Sequence, residues 1–586
     1  MSDTQSNQPA VCLESLTYTY PPILPGTSPA PALQSIDLCL PAGQLLAVMG
    51  PTGAGKTTLC LALNGLVPRA TGGILRGNVW VAGYNTRHQP VAELATRVGL
   101  VFQDSESQLF NMTVEDEVAF GPENLGLPAD EIEQRVDWAL QVVGLSDLRT
   151  HSPAQLSGGQ QRRLALAAAL AMQPRVLVLD EPTADLDPLG RQAIMAVIAG
   201  LRQQGMTIVM ATQDAEIVAE LADRVAVLDA GRLVLEGTPA QVFAQVDRLH
   251  NLGVEVPQVT ELSRRLGIEP VWLTVDQAVQ ALASGPNGPG GVAASAPKAG
   301  ARPEPASEAG VGSSLPAVGF EQVWYRYDGG APALAGIDLS IPRGAYTALI
   351  GANGSGKTTL AKHVIRLLRP ERGRVLVLGQ DTRRTTTGQL AHQVSYVFQN
   401  PDHQLFAANV WDEVAFGPRN LGLASAEVER RVQQALATFD LTAVSGLPPA
   451  VLSYGQRRLV TLATAHAMQP QILILDEPSV GLDRRLTRRL LDWVADLHQA
   501  GTMVLFITHD MRLAALARRS VVLEQGRVCA DVPTARLFDA PEHLRQAGIL
   551  PPPVVELGQR LGLPDVLTVD DFSRAWARRG GSASQP

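Results

Sequence analysis

The 586-residue chain is poor in three things, and each shortage excludes something. Cysteine is scarce. Cys12, Cys39, Cys60 and Cys529 are scattered, with no spacing that would hold a metal. They are expected to be ordinary thiols in a reducing compartment. Basic charge is not in excess: the formal net charge is −9, which argues against a nucleic-acid binder working through a basic face. Long hydrophobic runs are missing as well. No uncharged apolar stretch approaches the roughly 20 residues that a membrane-spanning helix needs. Residues 1–9 are polar and lack the hydrophobic region of a secretory leader. The expectation is a cytosolic chain with no membrane span of its own, reaching any membrane through a partner. Its length is too great for one domain, so two or more cores are expected.

What the chain does contain is a phosphate-binding loop. Gly50-Pro51-Thr52-Gly53-Ala54-Gly55-Lys56-Thr57-Thr58 matches G-x-x-x-x-G-K-[ST]. The apolar run Leu45-Leu46-Ala47-Val48-Met49 before it has the character of a buried strand, and Leu59-Cys60-Leu61-Ala62-Leu63 after it that of a helix. In that setting the glycines let backbone N–H groups turn inward as an anion nest, and the helix N-terminus adds its partial positive charge. Lys56 would reach the β- and γ-phosphates, and the Thr57 hydroxyl would ligate Mg²⁺. The same loop recurs as Gly351-Ala352-Asn353-Gly354-Ser355-Gly356-Lys357-Thr358-Thr359, so Thr358 takes the same place on a second Mg²⁺.

The recurrence extends along the whole chain. Gln103, Ser157 and Asp180 return as Gln399, Ser453 and Asp476 at one constant offset. The string Asp116-Glu117-Val118-Ala119-Phe120-Gly121-Pro122 returns as Asp412-Glu413-Val414-Ala415-Phe416-Gly417-Pro418. Residues 284–316, rich in Gly, Ala, Pro and Ser without apolar periodicity, have the composition of a disordered linker. Each copy closes on a similar tail, Pro257-Gln258-Val259-Thr260-Glu261-Leu262 and Pro553-Val554-Val555-Glu556-Leu557. Both tails run on into Leu-Thr-Val-Asp, where Thr274 and Thr568 are expected to cap short helices. Within each copy, β-branched runs alternate with amphipathic helical runs, which indicates an α/β domain with a largely parallel sheet.

Two further motifs carry chemistry. Val176-Leu177-Val178-Leu179-Asp180-Glu181-Pro182 is a buried strand ending in two carboxylates, repeated as Ile472-Leu473-Ile474-Leu475-Asp476-Glu477-Pro478. Asp180 and Asp476 would hold Mg²⁺ through water, and Glu181 and Glu477 would polarise the water that attacks the γ-phosphate. Leu156-Ser157-Gly158-Gly159-Gln160 precedes a helical run beginning at Arg163. Its serine and glycine amides can bind a phosphate, or form a capped glycine turn. Its counterpart is Leu452-Ser453-Tyr454-Gly455-Gln456.

With these residues in place, both halves resemble, nearly end to end, the ATP-binding subunits of ABC transporters. The resemblance implies two P-loop NTPase (ABC ATPase) domains in tandem, of α/β class. Each would have a mainly parallel sheet core, an antiparallel β part and a helical signature subdomain, followed by a short helical tail. The expected divisions are 10–248 and 317–545 for the ATPase domains, 249–283 and 546–579 for their tails, and 284–316 for the linker. It also implies head-to-tail pairing, with MgATP between the P-loop of one domain and the signature of the other. Gln103 and Gln399 match the family's glutamine loop, which senses Mg²⁺ and the membrane partner. Asp185-Leu186-Asp187 and Gly481-Leu482-Asp483 match the loop that crosses the interface. Tyr20 and Tyr327 stand where the family's adenine-stacking aromatic stands, though core tyrosines would fit there equally.

A narrower resemblance is to the energy-coupling-factor (ECF) importers of vitamins, their precursors, or cobalt and nickel ions. It rests on Val101-Phe102-Gln103-Asp104 with Gln108-Leu109-Phe110, on Val397-Phe398-Gln399-Asn400-Pro401-Asp402-His403-Gln404-Leu405-Phe406, and on the tails. It implies two partners, a transmembrane coupling protein and a small membrane substrate-binding protein, and a place at the cytoplasmic face of the cell membrane. The competing class is a soluble ABC ATPase acting on ribosomes or nucleic acid. The acidic chain, the nearly uncharged linker and the glutamines Gln160 and Gln456 closing the signatures speak against it. A P-loop metabolic kinase would leave both signatures unexplained.

The copies disagree at two places. Phe506-Ile507-Thr508-His509-Asp510 carries the family's switch histidine, whereas Met210-Ala211-Thr212-Gln213-Asp214 has Gln213, which hydrogen-bonds but cannot become a cation. Tyr454 stands in one signature where Gly158 stands in the other. Head-to-tail pairing would put both departures into one composite site. That site would have Lys56, Glu181 and Gln213 facing Ser453 and Tyr454. The other would join Lys357, Glu477 and His509 to Ser157, Gly158, Gly159 and Gln160. The expectation is asymmetry, one site turning over and the other mainly holding ATP; the plainer alternative is that both hydrolyse.

Overall fold

Five-residue runs that are apolar at every position but at most one end have nowhere to go but the inside of a sheet covered on both faces. In the computed structural model, Leu45–Met49, Val176–Asp180 and Thr207–Ala211 are strands buried at every residue, and so are Ile472–Asp476 and Met503–Ile507 in the second half. Residues 9–22, 29–184, 186–284, 316–327, 330–538, 544 and 548–582 are described. The expected linker, apart from its two end residues, and Asp185 lie outside them. The chain divides into two units, Met1–Thr274 with Gly481–Leu486, and Val275–Val480 with Thr487–Pro586.

The strands of the first unit are β1 (Val11–Thr19), β2 (Leu33–Leu40), β3 (Leu45–Met49), β4 (Ile74–Val81), β5 (Tyr84–Asn85), β6 (Val98–Val101), β7 (Val176–Asp180), β8 (Thr207–Ala211), β9 (Arg224–Asp229) and β10 (Arg232–Gly237). They form a six-stranded sheet in the order β10-β9-β3-β8-β7-β6 and a four-stranded sheet in the order β2-β1-β4-β5. In the six-stranded sheet only the β9–β10 pair is antiparallel. β3 therefore lies between β8 and β9, so the phosphate loop that follows it emerges at the centre of the sheet's C-terminal edge. Crevices outside that edge are where open α/β sheets bind ligands.

The second unit repeats the plan with β11 (Val318–Arg326), β12 (Pro332–Ile341), β13 (Tyr346–Ile350), β14 (Arg372–Val377), β15 (Gln380–Asp381), β16 (Val394–Val397), β17 (Ile472–Asp476), β18 (Met503–Ile507), β19 (Arg519–Glu524) and β20 (Arg527–Pro533). Its sheets run β16-β17-β18-β13-β19-β20 and β12-β11-β14-β15.

A helical layer covers one face of each six-stranded sheet. In the first unit the helices Val114–Asn124, Ala129–Val143 and Gly158–Ala171 close over Val118, Leu140, Leu164 and Leu170, all buried. Burying each such side chain contributes about 1.5–3 kcal/mol. The tails are helical, as expected, at Gln258–Arg265, Val275–Ser284, Pro553–Arg560 and Val569–Ser582. Thr568 caps the last of these, its Oγ1 accepting from the Asp571 N–H at 3.2 Å.

One expectation is corrected. Cys12 and Cys39 are not separate thiols but are joined as a disulfide, while Cys60 and Cys529 stay free. The antiparallel register of β1 and β2 sets the two directly opposite, with Cα atoms 4.1 Å apart. A separation of 27 along the chain gives no hint of that pairing.

The phosphate loops are shaped by sterics as much as by charge. Gly351 sits at φ 152°, and a Cβ there would lie 2.3 Å from the Leu523 carbonyl oxygen, a backbone atom that cannot retreat. Gly50 stands in the same relation to Leu228. Gly354 also has positive φ, at 79°, but a Cβ there meets open space. Gly351→Ala is therefore expected to abolish nucleotide binding by the second loop and to lower its unit's melting temperature. Gly354→Ala should cost only the left-handed backbone penalty of about 1–2 kcal/mol. Fluorescent-ATP titration with thermal melts of the two variants checks this, and equal losses would refute the steric account.

Candidate ATP sites at the two phosphate loops

Each loop runs from its central strand into a helix, Lys56–Leu63 or Lys357–Val364, through a glycine in the left-handed conformation, Gly55 at φ 103° or Gly356 at φ 102°. The lysines are buried and folded back on their own loops. Lys56 Nζ donates to the Gly50 and Pro51 carbonyls at 2.8 and 3.1 Å, and Lys357 Nζ to those of Gly351 and Ala352 at 2.8 and 2.9 Å. Burial lowers the Lys56 pKa, against the opposing pull of Glu181 and Asp180. An ammonium held over a nest of amides is a ready counter-charge for phosphate oxygens.

The acidic strands end beside the loops. Thr358 Oγ1 donates to Asp476 Oδ2 at 2.9 Å, and Thr57 occupies the matching place in the first loop, where it opposes the rise in the Asp180 pKa. Burial raises the pKa of both aspartates. In each, Oδ1 is buried without a hydrogen-bond partner among the described residues, which is the acceptor a cation or its bound water would satisfy. Hard oxygen donors, one hydroxyl and one carboxylate, suit Mg²⁺ with its remaining positions left to water and phosphate. Thr57 with Asp180 and Thr358 with Asp476 therefore fit a magnesium nucleotide. Gln103 and Gln399, the other predicted metal contacts, are exposed at the ends of β6 and β16.

Glu181 and Glu477 turn into the site through left-handed backbone, φ 47° and 45°, a conformation that a non-glycine residue keeps only when its surroundings enforce it. The enforcement is a hydrogen bond across to the next strand, from the Glu181 N–H to the Ala211 carbonyl at 2.8 Å and from the Glu477 N–H to that of Ile507 at 2.9 Å. Tyr20 and Tyr327 lie against the loop helices, their hydroxyls 3.1 Å from Thr58 Oγ1 and 3.2 Å from Thr359 Oγ1. Tyr327 is 47% exposed, so it is not a core tyrosine.

Each signature is a capping box. Ser157 Oγ accepts from the Gln160 N–H at 3.3 Å while Gln160 Oε1 accepts from the Ser157 N–H at 2.8 Å, and Ser453 with Gln456 repeats it. Gly158 opens this helix with nothing near the place a Cβ would take, so the fold itself admits Tyr454 at the matching position. Gly159 and Gly455 follow in the first turn. In the first unit, the Thr52 N–H donates to Asp483 Oδ2 at 3.2 Å and Thr52 Oγ1 to the Gly481 carbonyl at 3.2 Å.

The ABC transporter family profile matches residues 33–184 and 334–480, once in each half. An ABC transporter ATP-binding protein of Methanosarcina acetivorans is 40% identical over 98% of this chain and 94% of its own length. One from Caldanaerobacter subterraneus is 37% identical over 91% of this chain and 93% of its own. The chain belongs to this family. The structure of cbiO1 from Clostridium perfringens, part of the ABC transporter complex cbiONQ, is 33% identical, with a TM-score of 0.38. It covers 44% of this chain and all of its own.

As an ABC ATPase subunit of a transporter, the chain hydrolyses ATP to drive transport, and its two loops are the candidate nucleotide sites. Their surroundings differ. His509 Nδ1 is 2.8 Å from Glu477 Oε1, and the Thr508 hydroxyl and His509 N–H also donate to that carboxylate, at 3.2 and 3.0 Å. Burial alone would lower the His509 pKa, but the charge and hydrogen bond of Glu477, with Asp510, more than offset it and raise it. In the first unit the Gln213 side chain points away from the acid, donating to Thr52 Oγ1 at 3.4 Å, and only its backbone N–H meets Glu181, at 3.3 Å. Burial pushes Glu181 up to about 7, with Lys56 pulling down and Asp180 pushing up.

Sequence reasoning passed over two arginines. Arg162 donates to the carbonyls of Glu181, Ala184 and Gln103 at 2.9, 2.8 and 2.6 Å. Arg458, fully buried, donates to those of Asp476, Glu477, Gln399, Pro478 and Phe398. The available signal was a guanidinium two residues beyond each signature glutamine, on a helix otherwise apolar enough to be core.

A carboxyl with a raised folded pKa binds its proton more tightly folded than unfolded, so its contribution to stability is full at low pH. It is lost as pH rises from the unfolded value towards about 7. Glu181→Gln removes that loss. Relative to the parent, the nucleotide-free variant should gain about 2 kcal/mol of stability between pH 5.5 and pH 8. Urea unfolding at the two pH values measures the difference, and a pH-independent difference would disprove it.

Proposed function

We propose that this ABC ATPase powers an importer of the ECF type, through intrachain head-to-tail pairing of its halves, with unequal nucleotide sites. The observation that carries the inequality is the hydrogen bond between His509 and Glu477, whose counterpart Gln213 turns to Thr52 instead. In the second half, Glu477 orients and deprotonates the attacking water, and the imidazolium His509 stabilises charge developing on the γ-phosphate. In the first half, Lys56, Thr57 and Asp180 hold the magnesium nucleotide, while Glu181 lacks a cationic partner at the switch position. Supporting the pairing are the strings Asp185-Leu186-Asp187 and Gly481-Leu482-Asp483, which match the family's interface-crossing loop in both halves. Tyr20 and Tyr327, beside the loops, serve the adenine rings.

Glu477→Gln and Glu181→Gln test the inequality separately. Glu477→Gln should lower turnover at least 100-fold, while Glu181→Gln should lower it no more than a few-fold and leave nucleotide binding intact, an expectation scaled to general-base catalysis. Steady-state ATPase rates decide, and equal losses would remove the asymmetry.

The ECF reading rests on the glutamine-loop strings and tails, and the surface of the helical layer fits a membrane partner. Phe110 and Phe120 meet edge to face at 4.8 Å and are 63% and 43% exposed. Phe406 and Phe416 repeat the pair at 4.8 Å, 66% and 49% exposed. Buried Glu117 and Glu413 brace the two loops, accepting from the N–H groups of Phe110 and Asn111, and of Phe406 and Ala407. Exposed aromatic pairs on braced loops suit apolar anchors for a coupling protein. Among the described residues no helix is long and apolar enough to cross a membrane, so placement at the cytoplasmic face depends on such a partner. Phe110→Ser with Phe406→Ser should strip integral membrane proteins from the ATPase purified in mild detergent while ATP binding persists. Unchanged co-purification, or co-sedimentation of the parent with ribosomes, would turn the reading towards the soluble class.

A further inference from the structure

The two acidic strands differ in a way the proposed reading does not use. On β16, Tyr396 is buried, 8% exposed, and its hydroxyl donates to Asp476 Oδ2 at 2.7 Å. Thr358 Oγ1 donates to the same oxygen at 2.9 Å. Two donors on Oδ2 fix the plane of the carboxylate, because rotating it would break both bonds inside a buried site. They also leave Oδ1, which is buried without a hydrogen-bond partner among the described residues, as the acceptor still open.

The first half has the same backbone but not the hydroxyl. Parallel pairing of β16 with β17 sets Tyr396 beside Ile474, and pairing of β6 with β7 sets Leu100 beside Val178 in the same register. Leu100 packs into the apolar core and offers Asp180 nothing. Asp180 therefore lacks the tyrosine hydroxyl that its counterpart has.

We infer that Tyr396 is a positioning residue for the metal of the second nucleotide site, orienting Asp476 so that Oδ1 faces the Mg²⁺ shell, and that Leu100 leaves the first site without this device. The inference rests on Asp476 holding the metal, as proposed above. It adds a third difference between the halves, independent of Gln213 and Tyr454, and again on the side of a better-organised second site.

The test uses the full chain with Tyr396→Phe, Leu100→Tyr and Asp476→Asn. Mn²⁺ binding in the presence of a non-hydrolysable ATP analogue is followed by electron paramagnetic resonance, and metal-free nucleotide binding by fluorescent ATP in EDTA. Tyr396→Phe should weaken the tighter class of Mn²⁺ about five-fold and raise the Mg²⁺ needed for half-maximal ATPase by a similar factor. This is the effect of one lost buried hydrogen bond. Metal-free nucleotide binding should not change. Leu100→Tyr should tighten the weaker class. If Tyr396→Phe leaves Mn²⁺ affinity unchanged, or weakens metal-free binding equally, the positioning role is overturned. Asp476→Asn separates the two claims. If it leaves the tighter class intact, the assignment of Asp476 to the metal fails, whatever Tyr396→Phe does.

Discussion

The buried guanidiniums of Arg162 and Arg458 tie each nucleotide site together. Each arises from the signature helix and ends on backbone carbonyls of the glutamine loop and of the turn after the acidic strand. Carbonyls at strand ends have lost their ladder partners, and burying them unpaired would cost roughly 1–3 kcal/mol each. A planar fork of five donors satisfies several at once, which a lysine's point charge cannot do with the same geometry. Through it, the glutamine loop, the acidic pair and the start of the signature helix become one mechanical piece.

Around that piece the halves spend the same backbone differently. Both acidic residues are held in left-handed backbone by one hydrogen bond to the neighbouring strand. In the second half the carboxylate then meets a histidine, and the aspartate beside it meets a tyrosine. In the first, Glu181 is buried with Lys56 as its main counter-charge and its pKa is raised to about 7. Duplication has preserved every strand and turn needed to hold a nucleotide, and has let the groups that tune charge drift apart.

Much of this was legible in the residues. The P-loops, the acidic strand ends and the doubling are local patterns, set by short-range sterics and periodicity, and Leu45–Met49 is the strand its composition indicates. Other features were hidden because they join residues far apart in the chain. Cys12 meets Cys39 through antiparallel register, and Tyr396 meets Asp476 through a parallel one. Nothing in the sequence around Tyr396 marks it, since a strand buried on both faces does not reveal which side chain will find a polar partner.

The sequence by itself therefore determined the chemistry available: two anion nests, two magnesium-ready carboxylates, one histidine where its twin has glutamine. Tertiary structure alone decided how that chemistry is divided. Whether Gln213 contacts Glu181 or Thr52, and whether an aspartate has one donor or two, depends on distances between strands and loops many residues apart. Those distances follow from the packing of whole sheets, and no local pattern encodes them.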